Sequence, residues 1–198
     1  MKAHEEGTDE QLIERWNRQR DPAALNLLMG RYLPRFYLTA RSMLMPVEEA
    51  EDIAQDVMLK VVVALDQFDA RSTFQAWSYT ILLNTVRSSV RRRNRSGFRI
   101  DASVPIDGVA SRESAIDHRL NGAETNSLLH AAMQKLSEKQ RVALVLMLME
   151  GLSAAEVAQM EDCSVDAVYR RVSDGRRLLR SELSLKRAWL NRSIETEE

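Results

Sequence analysis

Three stretches of this chain carry the same local signature. Thr8-Asp9-Glu10-Gln11, Ser137-Glu138-Lys139-Gln140 and Ser153-Ala154-Ala155-Glu156 each place a hydroxyl three residues ahead of Gln or Glu, just before an apolar-periodic segment. In that arrangement the hydroxyl takes a free backbone N–H of the first turn, and the Gln or Glu reaches back to the cap residue. Asp21-Pro22 is a fourth start signal, a capping carboxylate followed by the residue favoured at the first helical position. Breakers are scarce between these starts: the 198 residues include seven Gly and four Pro. No stretch alternates apolar and polar residues as a half-buried strand would. The predicted fold class is all-α.

The periodicity gives each helix an apolar stripe. Leu12, Ile13 and Trp16 follow the first cap. Leu25, Leu28, Met29, Tyr32, Leu33, Phe36 and Tyr37 follow the second, with Pro34 predicted to kink or divide that helix. A third helix is predicted from Val47 to about Leu65, with Ile53, Val57, Leu59, Val61 and Leu65 for the core. Phe68–Ser72 is a short loop, and Ser72 or Thr73 caps a fourth helix reaching about Arg95 with Leu82, Val86 and Val90 inward. From Gly97 to about Ala123, three Gly, one Pro and several Asp and Ser replace the apolar period, which reads as a linker. A second compact unit opens near Glu124 with Leu128, Leu129 and Met133, and Ser164 starts its last helix. The expected organisation is two small helical domains joined by a flexible linker. The N-terminal four-helix domain spans residues 8–95, the linker 96–123, the helix-turn-helix domain 124–185 and a tail 186–198.

Charge is segregated. The net charge is −1, yet Val47–Asp56 is acidic while Arg87–Arg99 and Tyr169–Arg180 are basic. Separate patches suit separate partners. The longest apolar run, Val142–Met149, is far too short to cross a membrane, and the polar N-terminus is no secretory signal. With one cysteine, Cys163, no disulfide forms within the chain. A cytoplasmic protein without membrane insertion is expected.

Leu152–Val172 carries the strongest functional pattern. A capped helix, the turn Glu161-Asp162-Cys163 and a second capped helix form a helix-turn-helix. Val165 and Val168 are expected inward, small Ala158 lets the helices approach, and Asp162 takes the left-handed turn position that glycine often fills. Asp166, Ala167, Tyr169, Arg170 and Arg171 are then offered outward, where arginines can take phosphates or guanine edges. A plain helical hairpin with a solvated basic face is the competing reading. Arg87, Arg91 and Arg95 lie four apart with Asn84 and Ser88 on the same stripe, a ridge able to track a phosphate backbone or simply a solvated face. Phe68, Phe74, Trp77 and Tyr79 sit just before and within the start of that helix, where rings can stack unpaired bases or fill a core. The acidic residues Glu48, Glu49, Glu51, Asp52 and Asp56 suit a helix N-terminus, or dock a basic protein surface. His4, His118 and His130 lack metal-ligand spacing with Cys163, and no phosphate loop or activated nucleophile is present. No enzyme, metal or cofactor is expected.

Two segments resemble a known family. "EAEDIAQDVMLKVVVALDQFD…STFQAWSYTILLNTVRSSVRRR" is similar to the second conserved region of bacterial extracytoplasmic-function sigma factors, and "LSEKQRVALVLMLMEGLSAAEVAQMEDCSVDAVYRRVSDGRRLLRSEL" to their fourth. The resemblance implies two helical domains and core RNA polymerase, promoter DNA and an anti-sigma factor as partners. It implies that Glu48, Glu51, Asp52, Gln55 and Asp56 dock on the polymerase clamp. The loop Phe68, Asp69, Ala70, Arg71, Ser72 and Thr73 would capture an unstacked base of the −10 element beside Phe74 and Trp77, with Asn84, Arg87, Ser88 and Arg91 on the adjacent duplex. Ser164, Asp166, Ala167, Tyr169, Arg170, Arg171 and Arg176 would read the −35 element. Two departures stand out: Tyr169 occupies a commonly basic position, and Ser173-Asp174-Gly175 interrupts a usually alanine-rich run with a pair that weakens a continuing helix. A free-standing helix-turn-helix regulator, binding an operator as a dimer, and a sigma-like decoy that titrates an anti-sigma factor are the alternatives.

Overall fold

The computed structural model describes residues 7–95 and 128–195, with side chains to Ser184. Every regular element among the described residues is helical. The chain divides into two compact units, each described by itself. The proposed linker 96–123 lies outside the described residues.

The first unit begins with α1 (Asp9–Gln19), started by the expected box: the Thr8 hydroxyl accepts from the Gln11 N–H, and Gln11 Oε1 accepts from the Thr8 N–H at 2.8 Å. Leu12 and Ile13 are buried. Helix α2 (Pro22–Ser42) is capped by Asp21, whose carboxylate accepts from the Ala23 N–H. The Arg15 guanidinium, 2.6 Å from Asp21, holds that carboxyl below its ordinary range. Arg31 at 2.8 Å and the Tyr32 hydroxyl both bind Asp9, fastening α1 to α2. Burial, reinforced by that carboxylate, raises the Tyr32 hydroxyl pKa and keeps it protonated.

Pro34 does not divide α2, which runs unbroken through it. Proline frees the carbonyl four residues back, and both Gly30 and Pro34 lie on the exposed side, where water can satisfy it. The opposite side, Leu28, Tyr32, Phe36 and Ala40, is packed in the core and holds the helix together. Leu33 leaves the expected stripe and is exposed.

Helix α3 (Val47–Ala64) buries Ala50, Ile53, Ala54, Val57 and Val61, then tightens into a 3-10 turn at Leu65–Gln67. Arg20 closes α1 onto this turn with two bonds to Asp66, at 2.5 and 2.7 Å, and lowers the Asp66 pKa. Leu59, expected in the core, is instead 67% exposed, because the buried positions of α3 follow Ile53, Val57 and Val61 on another side. Helix α4 (Phe74–Arg95) starts at Thr73, whose hydroxyl accepts from the Ala76 N–H. Leu82 and Val86 are buried as expected, while Val90 is only half-buried. Edge-on ring pairs join α2 to α4: Tyr32–Phe74 at 5.0 Å and Phe36–Tyr79 at 5.6 Å.

The second unit starts with α5 (residues 128–134). Arg141 donates to the carbonyls of Met133 and Leu136, satisfying the chain end of α5. Helix α6 (Glu138–Leu144) starts at the Ser137–Gln140 box and passes into a π-helical turn at Val145–Met149, which the sequence pattern did not anticipate. Helix α7 (Ala154–Met160) starts at the Ser153–Glu156 box. Helix α8 (Val165–Glu195) follows Ser164, whose hydroxyl accepts from the Ala167 N–H. It continues through Asp174-Gly175, contrary to the expected weakening, and on through residues 186–195 of the proposed tail.

Gly175 has a packing reason. A Cβ there would lie 2.6 Å from Leu144 Cδ1 and 3.5 Å from Leu136 Cδ2. Both leucines are buried, so they have little room to give. Gly175→Val is therefore expected to destabilise this unit by about 2–3 kcal/mol, the usual scale of overpacking a filled core. Thermal unfolding of the full chain measures it; an unchanged transition would show that Leu144 repacks freely.

Candidate nucleic-acid and protein interfaces

The buried stripe of α3 leaves one continuous outward stripe. Glu48, Glu51, Asp52, Gln55 and Asp56 are all exposed on it. Glu49 is separated from them: it turns to α4, where Arg93 binds it at 2.9 Å and the Ser89 hydroxyl donates to it. Asp56 is paired with Lys60 at 2.8 Å, and Lys60 also reaches the Thr85 hydroxyl. Leu59 and the 80% exposed Val63 extend the same stripe, so the surface is acidic at one end and apolar at the other. The sequence signal for Leu59 was present: it stands seven residues after Asp52 and four after Gln55, on the polar side of the helix.

Between the 3-10 turn and α4 the chain makes a short exposed loop. Asp69 accepts from the Arg71 N–H at 3.2 Å and pairs with the Arg71 guanidinium at 2.9 Å. Ala70 between them is left-handed, with φ +57°. Phe68 and Trp77 are half-buried with rings 5.2 Å apart, each offering part of its surface beside the loop. Phe74 is different: it is 1% exposed, packed on Tyr32, Phe68 and Trp77. It is a core ring and has no face for a base, which corrects its place in the expected set. Thr73 is engaged as the cap of α4.

The basic ridge of α4 holds its predicted stripe. Asn84, Ser88, Arg91 and Arg95 are exposed and Arg87 is half-exposed, while Leu82, Leu83 and Val86 are buried. Arg91 donates to the Ser88 hydroxyl at 2.9 Å. Arg93 is drawn off this ridge by Glu49. Trp77 and Arg87 stand ten residues apart on α4, so about 15 Å of helix separates the rings from the start of the ridge.

In the second unit α7, the turn and α8 form the expected helix-turn-helix. Asp162 takes the left-handed position with φ +47°, and the Cys163 N–H donates to the Ala158 carbonyl. Val168 and Val172 are buried on α8, whereas Val165, expected inward, is 40% exposed. Ser164, Asp166, Tyr169, Arg170 and Arg176 are exposed and Ala167 is half-buried. Tyr169, Ser173, Arg176, Arg177 and Arg180 line a shallow basic groove along the helix, of which Ser173, Arg177 and Arg180 were not among the residues expected to read DNA. Arg171 does not join them. It turns back to Glu161, whose carboxylate lies 3.8 Å away, and so departs from the outward position expected of it. Among the described residues no cluster of His, Cys, Asp and Glu is placed to hold a metal ion, and no helix is long and apolar enough to cross a membrane.

Comparison with known proteins follows the same division. Residues 28–96 match the family model of sigma-70 region 2, and residues 127–179 that of sigma-70 region 4. The chain is 30% identical over 174 residues to the RNA polymerase sigma-H factor of Pseudomonas aeruginosa, covering 83% of this chain and 88% of that protein. It is 28% identical over 163 residues to the ECF RNA polymerase sigma factor SigW of Bacillus subtilis, covering 77% and 84%. Among solved structures it resembles the sigma factor RpoE of Bartonella quintana, determined in complex with the anti-sigma factor NepR. The TM-score is 0.65 and the identity 28%, over 80% of this chain and 94% of that one.

Proposed function

Because this chain belongs to the extracytoplasmic-function sigma factors of RNA polymerase, and so is an alternative sigma factor directing promoter-specific transcription, we propose that its three exposed surfaces divide that task. The outward stripe of α3, with Glu48, Glu51, Asp52, Gln55 and Asp56, docks on core RNA polymerase. Leu59 and Val63 extend the docking surface. The loop Phe68–Thr73, with the open faces of Phe68 and Trp77, receives an unstacked base of the −10 element. Asn84, Arg87, Ser88 and Arg91 grip the neighbouring duplex. Ser164, Asp166, Ala167, Tyr169, Arg170 and Arg176 of α8 read the −35 element in the major groove. Residues 8–95 thus act as the polymerase and −10 domain, and 124–185 as the −35 domain. The protein works in the cytoplasm by binding, and bond formation stays with the polymerase. An anti-sigma factor is a further partner, as it is for the similar Bartonella protein.

The observation that carries this reading is the sorting of charge: acid outward on α3, arginine outward on α4 and along α8. A free-standing regulator would account for the helix-turn-helix and leave the region 2 match over residues 28–96 without a purpose. The decisive experiment is run-off transcription with core polymerase on promoter DNA selected from a random library. The chain is expected to make core start at one site; initiation that is unchanged by the chain would overturn the reading.

Arg91→Ala tests the ridge. Loss of one phosphate contact is expected to weaken all promoters alike and to lower the salt slope of holoenzyme binding by about 0.9. Binding at several salt concentrations measures it. An untouched slope would make the ridge a solvated face.

A further inference from the structure

Helical spacing sorts α8 into two sides. Val168 is 0% exposed, Val172 6%, and Gly175 is buried against Leu144. Arg171 stands three residues after Val168 and four before Gly175, on that inner side, beside the exposed Arg170 of the outer one. Its side chain is 17% exposed, and the side chain of Glu161 facing it is 3% exposed. One guanidinium nitrogen, Nη1, is closed to water and makes no hydrogen bond. Its separation from Glu161 Oε2 is 3.8 Å, a charge contact rather than a hydrogen bond. A guanidinium held there cannot reach a phosphate or a base without leaving its site and abandoning a buried carboxylate.

Glu161 terminates α7, and between it and α8 lies the left-handed Asp162. The pair therefore spans the turn, from the C-cap of one helix to the second turn of the next. Rotating α8 about its axis by one position would turn Tyr169, Arg170, Ser173 and Arg176 together away from the direction they now face. A charge pair behind the helix opposes that rotation.

We propose that Arg171 serves DNA reading from inside the helix-turn-helix, as a positioning residue that sets the rotation of α8 through Glu161, and makes no contact with DNA. This rests on the reading of α8 as the −35 helix. The test uses holoenzyme made from core polymerase and the full chain, on matched and scrambled −35 DNA, at several salt concentrations. Arg171→Met and Glu161→Met each take one charge away from this pair. Each single change is expected to lower the matched-to-scrambled preference roughly tenfold, and the double change, apolar on both sides, to return it to within about twofold of the parent. The salt slope is expected to stay at the parent value in all three, since no phosphate contact is lost. Should the double variant stay as weak as Arg171→Met, with a slope lower by about 0.9, Arg171 is a DNA contact and the proposal fails. If a single variant melts below the assay temperature, the double decides alone: parent slope and preference support the proposal, and their loss overturns it. Arg170→Ala runs beside them. If it changes neither preference nor slope, the assignment of α8 as the reading helix is what fails, and this inference goes with it.

Discussion

Asp52→Arg is expected to weaken binding to core RNA polymerase by about 2 kcal/mol, roughly thirtyfold, while leaving helicity intact. Asp52 is exposed in the middle of the α3 stripe, so reversing it alters the docking surface and not the core. Against a basic partner the reversal replaces attraction by like-charge contact. Asp56 is a poorer probe, because its reversal would also set Arg beside Lys60, its present partner at 2.8 Å. Leu59→Ala provides the complementary measurement. An apolar anchor of the same surface is expected to cost about 1 kcal/mol of binding, a loss that persists at high salt, while the charge effect shrinks. Titration of labelled chain with core polymerase at two ionic strengths separates the two. Parent affinity in both variants would remove α3 from the docking role.

The second large effect concerns the rings. Phe74→Ala is expected to destabilise the N-terminal unit by about 3–5 kcal/mol, because it empties a site closed by Tyr32, Phe68 and Trp77. In a unit of this size that lowers its melting temperature by roughly 15 °C or more. Promoter opening would be lost through unfolding. Phe68→Ala removes a half-buried ring and is expected to reduce opening with a smaller loss of stability. Thermal unfolding of the full chain, paired with permanganate reactivity of promoter thymines, distinguishes these routes. A Phe74→Ala chain that melts like the parent yet opens no promoter would place that ring against a base after all.

The difference between Phe74 and Phe68 shows where the sequence stops. Helix starts were legible because their chemistry is local: Thr8, Ser137 and Ser153 each bond a backbone N–H three residues away, and no distant residue takes part. The Asp162 turn was legible for the same reason, as a left-handed position that a short polar side chain tolerates. The order of the two conserved regions was legible as well, and with it the family. Periodicity also sorted residues into stripes, so Asn84, Ser88, Arg91 and Arg95 shared a side before any coordinates did. What it left open was which stripe meets the core when a helix is apolar on more than one side. On α3 both Leu59 and Val61 are hydrophobic, and only packing against α4 buries the second and exposes the first. Pro34 could divide a helix or ride on it; the buried Tyr32 and Phe36 on the opposite side decided that. Gly175 read as a weak point in α8, until Leu144 and Leu136 arrived from α6 and the turn before it and left no room for a Cβ. Arg171 read as an outward cation beside Tyr169 and Arg170. Glu161, ten residues earlier and across a turn, drew it inside. Local hydrogen bonds were thus determined by the sequence alone. The side each residue faces was decided by partners that only the folded chain brings within reach.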